Sequence, residues 1–147
     1  MSYAGTLGLV WIVIALVCAL LWRRSIVLGW VLSAVLIGDL SSYLLRELIG
    51  RPRPWRRYPL PHTLVGAPKD SSLPSGHTTI AFACATVLTY FGPRFGPSLF
   101  LLAAAIAFSR VYVGVHYPVD VVGGAVLGVA IGAALIALRR LVAGRRR

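Results

Sequence analysis

Five apolar runs, separated by short polar or charged stretches, make up most of the chain. A helix needs about 20 mostly apolar residues to cross a bilayer, and each run approaches that length. The pattern therefore predicts an all-α integral membrane bundle of about five transmembrane helices, in a single domain over residues 1–147 with one long extramembrane loop at 46–76. The predicted spans are Tyr3 to Trp22, Ser25 to Leu45, His77 to Phe91, Ser98 to Val115 and Val119 to Leu138.

The third span is the shortest, about 22 Å at the rise of an α-helix against roughly 30 Å for the hydrocarbon core. Its polar start at His77 is therefore expected in a cavity at or below the membrane surface.

The fifth span carries Gly124, Gly128 and Gly132 at four-residue intervals, a spacing that lets another helix approach closely. We expect this stripe to pack within the bundle; the alternative is a homo-oligomer formed through the same face.

Composition supports the membrane assignment, because 58% of the residues are hydrophobic and only four are acidic. The net charge of +11 comes from 14 arginines and one lysine, which lie between the apolar spans and do not form one soluble basic face. This arrangement disfavours a nucleic-acid partner and favours membrane lipids and an anionic substrate.

Cys18 and Cys84 lie inside apolar runs and predict neither a disulfide nor a metal site. Three histidines and four scattered acids predict no metal and no other cofactor.

The arginines also set the expected orientation. Arg23, Arg24, Arg94 and the arginines after Leu138 fall on one side of a five-span bundle, which the positive-inside tendency assigns to the cytoplasm. The C-terminus is then cytoplasmic. The N-terminus, the long loop and the seam at 115–118 face the other side of the cell (plasma or inner) membrane.

Polar residues gather on that second side, where the second and fourth spans end and the third and fifth begin. They are Arg46, Arg53, Ser75, Gly76, His77, Arg110, His116 and Asp120. Guanidinium groups that converge on one partly dry site are typical of a phosphate ligand. The helix start at Pro74-Ser75-Gly76-His77 adds free N–H groups and the positive end of a helix dipole, and Ser75 is expected to cap the third helix.

His116 and His77 are expected to have different tasks. Pro118 suits the first position of the fifth helix, so Asp120 lies in its first turn and can reach back to one imidazole nitrogen of His116. The other nitrogen then faces the phosphorus atom, and His116 is the candidate nucleophile. His77, at the opposite helix start, is placed to protonate the leaving group and later to activate water.

These residues fall into a known arrangement. In order, they are Arg46, Arg53-Pro54 seven positions on, Pro74-Ser75-Gly76-His77, and Ser109-Arg110 with His116 and Asp120 at the spacing S-R-x5-H-x3-D. This order resembles the three-part signature of the type 2 phosphatidic acid phosphatase superfamily, the lipid phosphate phosphatases, in its membrane-embedded bacterial type. The chain differs in having Arg46 where the family has lysine, and five spans where six are common.

The resemblance implies a site made of two groups of residues. Phosphate binding falls to Arg46, Arg53, Ser75, Gly76 and Arg110. Acid and base work falls to His77, the phospho-histidine intermediate to His116, and its orientation to Asp120. The resemblance also implies a catalytic mouth on the non-cytoplasmic side.

We therefore predict a metal-independent phosphatase that acts on a lipid phosphate or a prenyl (di)phosphate whose tail stays in the bilayer. Two alternatives stay open: a lipid-phosphate phosphotransferase, in which a hydroxyl group replaces water, and a non-enzymatic lipid-phosphate transporter. Asp39 lies seven residues before Arg46 and is expected to neutralise it or to face a polar cavity. The remaining basic residues of the long loop are interpreted as ligands of lipid head groups: Arg51, Arg56, Arg57 and Lys69.

Overall fold

The structure is a computed structural model that describes residues 4–58 and 70–145, without the side chains of residues 4–7. Every regular element in these residues is helical. The elements in chain order are α1 (Ala4–Leu21), α2 (Ile26–Ile49), the short α3 (Pro54–Arg57), α4 (Gly76–Phe91), a 3₁₀ turn (Pro93–Phe95), α5 (Gly96–Tyr112) and α6 (Pro118–Gly144). The predicted all-α bundle with five long helices is confirmed.

The outer surface of the bundle is apolar, as a surface that faces lipid must be. Large aliphatic side chains point outward, and Leu36 and Leu101 are 69% and 72% exposed. A shorter apolar helix covers Gly8–Leu21. Three segments of the described residues are long and apolar enough to cross a membrane: Ile26–Arg57, Pro93–Tyr112 and Pro118–Gly144. The chain is a multi-pass membrane protein.

Helix α2 runs one turn further than the sequence predicts. The predicted end is Leu45, but the helix continues to Ile49, where Gly50 adopts a φ of 65° and its N–H donates to the carbonyl of Arg46 at 3.0 Å. Glycine tolerates this left-handed conformation, and the prolines that follow cannot continue the helix. Arg46 therefore lies on a helix and not in the loop.

Helix α4 is the centre of the bundle and packs against α1, α2, α5 and α6. Its 16 residues span about 24 Å. Small side chains such as Ala81, Ala83 and Ala85 are completely buried along it. Because other helices surround it, α4 needs neither the length nor the continuous apolar surface of a helix that faces lipid.

The glycine stripe of α6 lies against α4. A Cβ atom at Gly124 would lie 2.7 Å from the carbonyl oxygen of Ser75, and one at Gly128 would overlap the carbonyl oxygen of Thr79. Gly132 meets the same helix. The missing side chains let the two helices meet backbone to backbone, so the stripe packs within the bundle. Helix α4 covers this face within the chain, and a homo-oligomer through the same face stays a prediction.

Gly128→Ala is expected to destabilise the bundle by about 1–3 kcal/mol, because the new methyl group would overlap backbone atoms of α4. The matched control is Gly29→Ala on α2, where a Cβ atom would meet nothing within 4 Å. Loss of glycine's extra conformational freedom should stabilise that control by up to about 1 kcal/mol. Thermal unfolding in detergent measures both variants. Shifts of equal sign and size would contradict the close contact between α4 and α6.

Candidate active site

Arg53 is the centre of a buried polar cluster at the end of the bundle where α2 and α5 end and α4 and α6 begin. Its side chain is 4% exposed. Nε donates to the carbonyl of Asp70 at 2.9 Å, and one terminal nitrogen donates to Oδ1 of Asp70 at 2.8 Å. The other terminal nitrogen donates to the carbonyl of Val115 at 3.0 Å and lies 3.2 Å from Nε2 of His116. Arg53 thus joins the segment before α4 to the turn between α5 and α6.

Arg46 reaches the same cluster from the last turn of α2. It is buried, and its Nε lies 3.0 Å from Oδ2 of Asp70. The guanidinium group lies over Gly76 at the start of α4, where a Cβ atom would be 2.7 Å from one of its terminal nitrogens. The absence of a side chain at Gly76 therefore makes room for the planar guanidinium group of Arg46.

Gly76→Ala is expected to lower the affinity of the site for inorganic phosphate about 10-fold, because the methyl group displaces the guanidinium of Arg46 and weakens one charge-assisted hydrogen bond. The fold should tolerate the change, since the atoms that the methyl group would meet belong to the side chains of Arg46 and Ser42 and not to the backbone. Isothermal titration calorimetry measures the affinity, with Gly29→Ala as the control that should bind like the wild type. Unchanged affinity in Gly76→Ala would rule out this role for Arg46.

Ser75 is buried at the start of α4, but its side chain does not cap the helix as the sequence predicts. Its Oγ instead accepts a hydrogen bond from Oγ1 of Thr78 at 3.1 Å. Its backbone N–H donates to the carbonyl of Asp120 at 3.0 Å, which ties the start of α4 to the start of α6. The Ser75 hydroxyl keeps its own hydrogen for another acceptor. His77 lies in the first turn of α4 and is partly buried.

His116 is 5% exposed, and the partners of its two ring nitrogens determine its tautomer. Nδ1 lies 2.8 Å from the carbonyl oxygen of Ser72, which can only accept a hydrogen bond. Nε2 lies 3.2 Å from a terminal nitrogen of Arg53, which can only donate. Nδ1 therefore carries the hydrogen, Nε2 presents a lone pair, and the ring is neutral. The bond that fixes the tautomer comes from Ser72 and not, as expected, from Asp120.

The electrostatics of the site favour the same neutral ring. Burial lowers the pKa of His116 below its ordinary value of 6.5, and the charge of Arg53 lowers it as well. Contacts with Asp120 and the Ser72 carbonyl act in the opposite direction, and burial is the largest effect. Neutral imidazole is the form that a nucleophile requires.

Asp120 is completely buried in the first turn of α6. The backbone N–H of Tyr117 donates to its Oδ2 at 2.8 Å, and Arg51 donates to its Oδ1 at 3.0 Å. Oδ2 also lies 3.6 Å from Nδ1 of His116. The carboxylate thus lies beside the imidazole ring at ion-pair distance, held in place by two other donors.

Arg110 is half-buried at the end of α5 and is not joined to this cluster in the part of the chain that the structure describes. Its guanidinium donates to Oγ of Ser109 at 3.1 Å. Phosphate binding by Arg110 therefore stays a prediction.

Asp39 does not have either of its expected roles. It is exposed on the outer side of α2, and Arg46 forms its ion pair with Asp70 instead. Of the expected head-group ligands, Arg56 and Arg57 are exposed on α3, and Lys69 lies outside the described residues.

Sequence reasoning misses three members of the cluster: Asp70, the carbonyl of Ser72 and Arg51. Arg51, expected as a head-group ligand, pairs with Asp120, and its guanidinium carbon lies 4.5 Å from the centre of the Tyr117 ring. The sequence does contain an indication for Asp70, because it is the only acid between α2 and α4 in a chain of 14 arginines. The sequence contains no indication for the carbonyl of Ser72, because every residue has a backbone carbonyl group.

Comparison with known proteins gives a family match and several relatives. Residues 27–142 match the family model of the PAP2 superfamily. The chain is 37% identical over 95 residues to undecaprenyl-diphosphatase BcrC of Bacillus subtilis, which covers 65% of this chain and 49% of that protein. It is 36% identical over 124 residues to the undecaprenyl-diphosphatase of Sulfolobus acidocaldarius, with 81% and 58% covered. The chain thus spans about half the length of these curated relatives.

The fold is also similar to a solved structure. The crystal structure of a transmembrane PAP2-type phosphatidylglycerolphosphate phosphatase from Bacillus subtilis matches with a TM-score of 0.70 and 26% sequence identity. The match covers 96% of this chain and 72% of that one.

Proposed function

The chain belongs to the PAP2 superfamily, and from this premise we propose that it removes phosphate from a lipid phosphate or a prenyl diphosphate in the membrane. The observation that carries the proposal is the neutral ring of His116, whose Nε2 lone pair faces Arg53 in a buried arginine cluster. A phosphate bound to that guanidinium would present its phosphorus atom to the lone pair. A protein that only binds phosphate needs no nucleophile at that position.

In the first proposed step, Nε2 of His116 forms a bond to phosphorus while the bond from phosphorus to the leaving oxygen breaks. His77 gives its proton to that oxygen, and the leaving group departs as an alcohol or, from a diphosphate, as the prenyl monophosphate. The ring of His116 becomes cationic because Nδ1 keeps its hydrogen. The carboxylate of Asp120, 3.6 Å from Nδ1, stabilises that charge.

In the second step, water attacks the phosphorus of the phospho-histidine. His77, now neutral, accepts a proton from the water, while the bond between phosphorus and nitrogen breaks and Nε2 recovers its lone pair. Inorganic phosphate leaves, and His77 is again protonated for the next cycle.

The other polar groups of the site are proposed to bind the phosphate oxygens. They are the guanidinium groups of Arg46, Arg53 and Arg110, the hydroxyl of Ser75 and the backbone at Gly76, where α4 begins. The arginines supply the positive charge that a metal ion supplies in other phosphatases, so we propose a metal-independent reaction. Within residues 4–58 and 70–145, no group of three or more His, Cys, Asp or Glu side chains is placed to hold a metal ion.

A prenyl diphosphate is the substrate class that we favour. Both curated relatives described above are named undecaprenyl-diphosphatases. The apolar exterior of this chain would let a long tail stay in the bilayer while the head group enters the site. Because Arg23, Arg24, Arg94 and Arg139 lie at the opposite end of the bundle, we place the site on the non-cytoplasmic side of the cell membrane.

Phosphate release by the purified protein in detergent tests the proposal. The substrates are a polyprenyl diphosphate, phosphatidate and phosphatidylglycerophosphate, each with and without a chelator. We expect turnover that is fastest with the diphosphate, unchanged by the chelator and inhibited by orthovanadate. Lipid binding without hydrolysis would indicate a transporter, and a phosphorylated acceptor in place of free phosphate would indicate a phosphotransferase. Activity lost with the chelator and restored by a divalent cation would contradict metal independence.

A further inference from the structure

The carboxylate of Asp70 occupies the space between the two buried arginines. Its Oδ2 lies 3.0 Å from Nε of Arg46, and its Oδ1 accepts a hydrogen bond from Arg53 at 2.8 Å. A carboxylate presents two anionic oxygens to guanidinium groups much as a phosphate does. Asp70 therefore fills an anion position in the site.

The donors of Arg53 are almost all in use. A guanidinium group has five N–H donors. Four of those on Arg53 are directed at the carbonyl and Oδ1 of Asp70, the carbonyl of Val115 and Nε2 of His116. A phosphate that entered beside the Asp70 carboxylate would meet arginines whose charge is already compensated, and a second anion at close range.

The carboxylate can leave this position more easily than the arginines can. The exposed fraction of the side chain is 36% for Asp70, against 11% for Arg46 and 4% for Arg53. The backbone of the segment is held separately, since Nε of Arg53 bonds the Asp70 carbonyl and Nδ1 of His116 bonds the Ser72 carbonyl. Rotation of one side chain toward solvent is therefore enough to remove the carboxylate from both guanidinium groups.

We propose that Asp70 is an internal competitor for phosphate. Its carboxylate leaves the arginine pair when the phosphate of the substrate binds, and it returns when inorganic phosphate departs. This inference rests on the proposed phosphatase function and adds a step to it. The exchange lowers the affinity for substrate and product alike, and the returning carboxylate promotes release of the product.

Asp70→Asn tests the exchange in the full chain, purified in detergent. The amide keeps the size of the side chain and the backbone carbonyl but removes the charge. Inorganic phosphate and orthovanadate should therefore bind about 10-fold more tightly, and product inhibition by phosphate should strengthen by a similar factor. A carboxylate that only held the arginines in place would give the opposite result, so weaker or unchanged binding in Asp70→Asn would overturn the proposal.

Glu47→Gln is the matched control. Glu47 is exposed in the last turn of α2, next to Arg46 in sequence, and its replacement removes one negative charge from the same end of the bundle. We expect its phosphate affinity to stay within about 2-fold of the wild type. An equal gain in affinity in both variants would show a general charge effect and would overturn the specific role of Asp70.

A second measurement does not depend on a variant that folds. In the wild-type chain, labelling of Asp70 by a water-soluble carboxyl reagent, read by mass spectrometry, should rise severalfold when orthovanadate is bound. Unchanged or reduced labelling would overturn the exchange. Both readouts report binding, so they are independent of turnover. A further outcome is that the wild type hydrolyses no lipid while Asp70→Asn still binds phosphate more tightly than the wild type does. That result would refute the proposed phosphatase function and support the exchange at the anion site.

Discussion

Replacement of His116 by alanine is expected to lower the rate of phosphate release from a prenyl diphosphate by roughly 10⁴- to 10⁶-fold, because the phospho-histidine cannot form. Water would then have to attack phosphorus directly, without the nucleophile that the arginine cluster faces. The loss should appear in kcat and in kcat/KM alike, since the ring acts on the transition state. Single-turnover and steady-state phosphate assays on the purified chain measure both quantities.

Two controls separate loss of chemistry from loss of structure. Arg46 and Arg53 remain in His116→Ala, so the variant should bind inorganic phosphate within a few-fold of the wild type. After brief incubation with radiolabelled substrate, the wild type should carry acid-labile, base-stable phosphate and the variant none. A folded variant with turnover within about 10-fold of the wild type would refute His116 as the nucleophile.

Much of the fold follows from patterns that act within one segment of the chain. The lengths of the apolar runs, and the charged, glycine and proline residues between them, predict the lipid-facing helices. The glycine spacing of α6 predicts its contact with another helix. The end of α2 is the exception. Its continuation past Leu45 depends on the left-handed conformation of Gly50, which glycine permits but does not require.

Some members of the candidate site can be predicted from the sequence, but their contacts cannot. Motif spacing identifies Arg53, His116 and Asp120. Which of 14 arginines pairs with a given acid depends on distances between segments far apart in the chain, so the pairing of Arg51 with Asp120 does not follow from the sequence. The tautomer of His116 is fixed by the backbone carbonyl of Ser72, and no residue type marks such a contact.

The geometry limits what Asp120 can contribute to the proposed reaction. The carbonyl of Ser72 already fixes the tautomer of His116, so the proposed contribution of Asp120 is to stabilise the positive charge that the ring acquires. Two unit charges about 4 Å apart interact by about 4 kcal/mol at an effective dielectric constant near 20. Arg51 donates to the same carboxylate and reduces this attraction.

Asp120→Asn is expected to lower kcat by about 10²- to 10³-fold, a smaller loss than that of His116→Ala. The contacts with Asp120 raise the pKa of His116 against the effect of burial. The variant should therefore have a lower His116 pKa and keep its kcat/KM to lower pH than the wild type, because only the protonated ring is inactive. Profiles of kcat/KM against pH on one substrate measure this shift, and Asp39→Asn, which removes an exposed carboxylate of α2, should leave the profile unchanged. If the variant loses activity but its kcat/KM falls at the same acidic pH as that of the wild type, Asp120 only holds the fold.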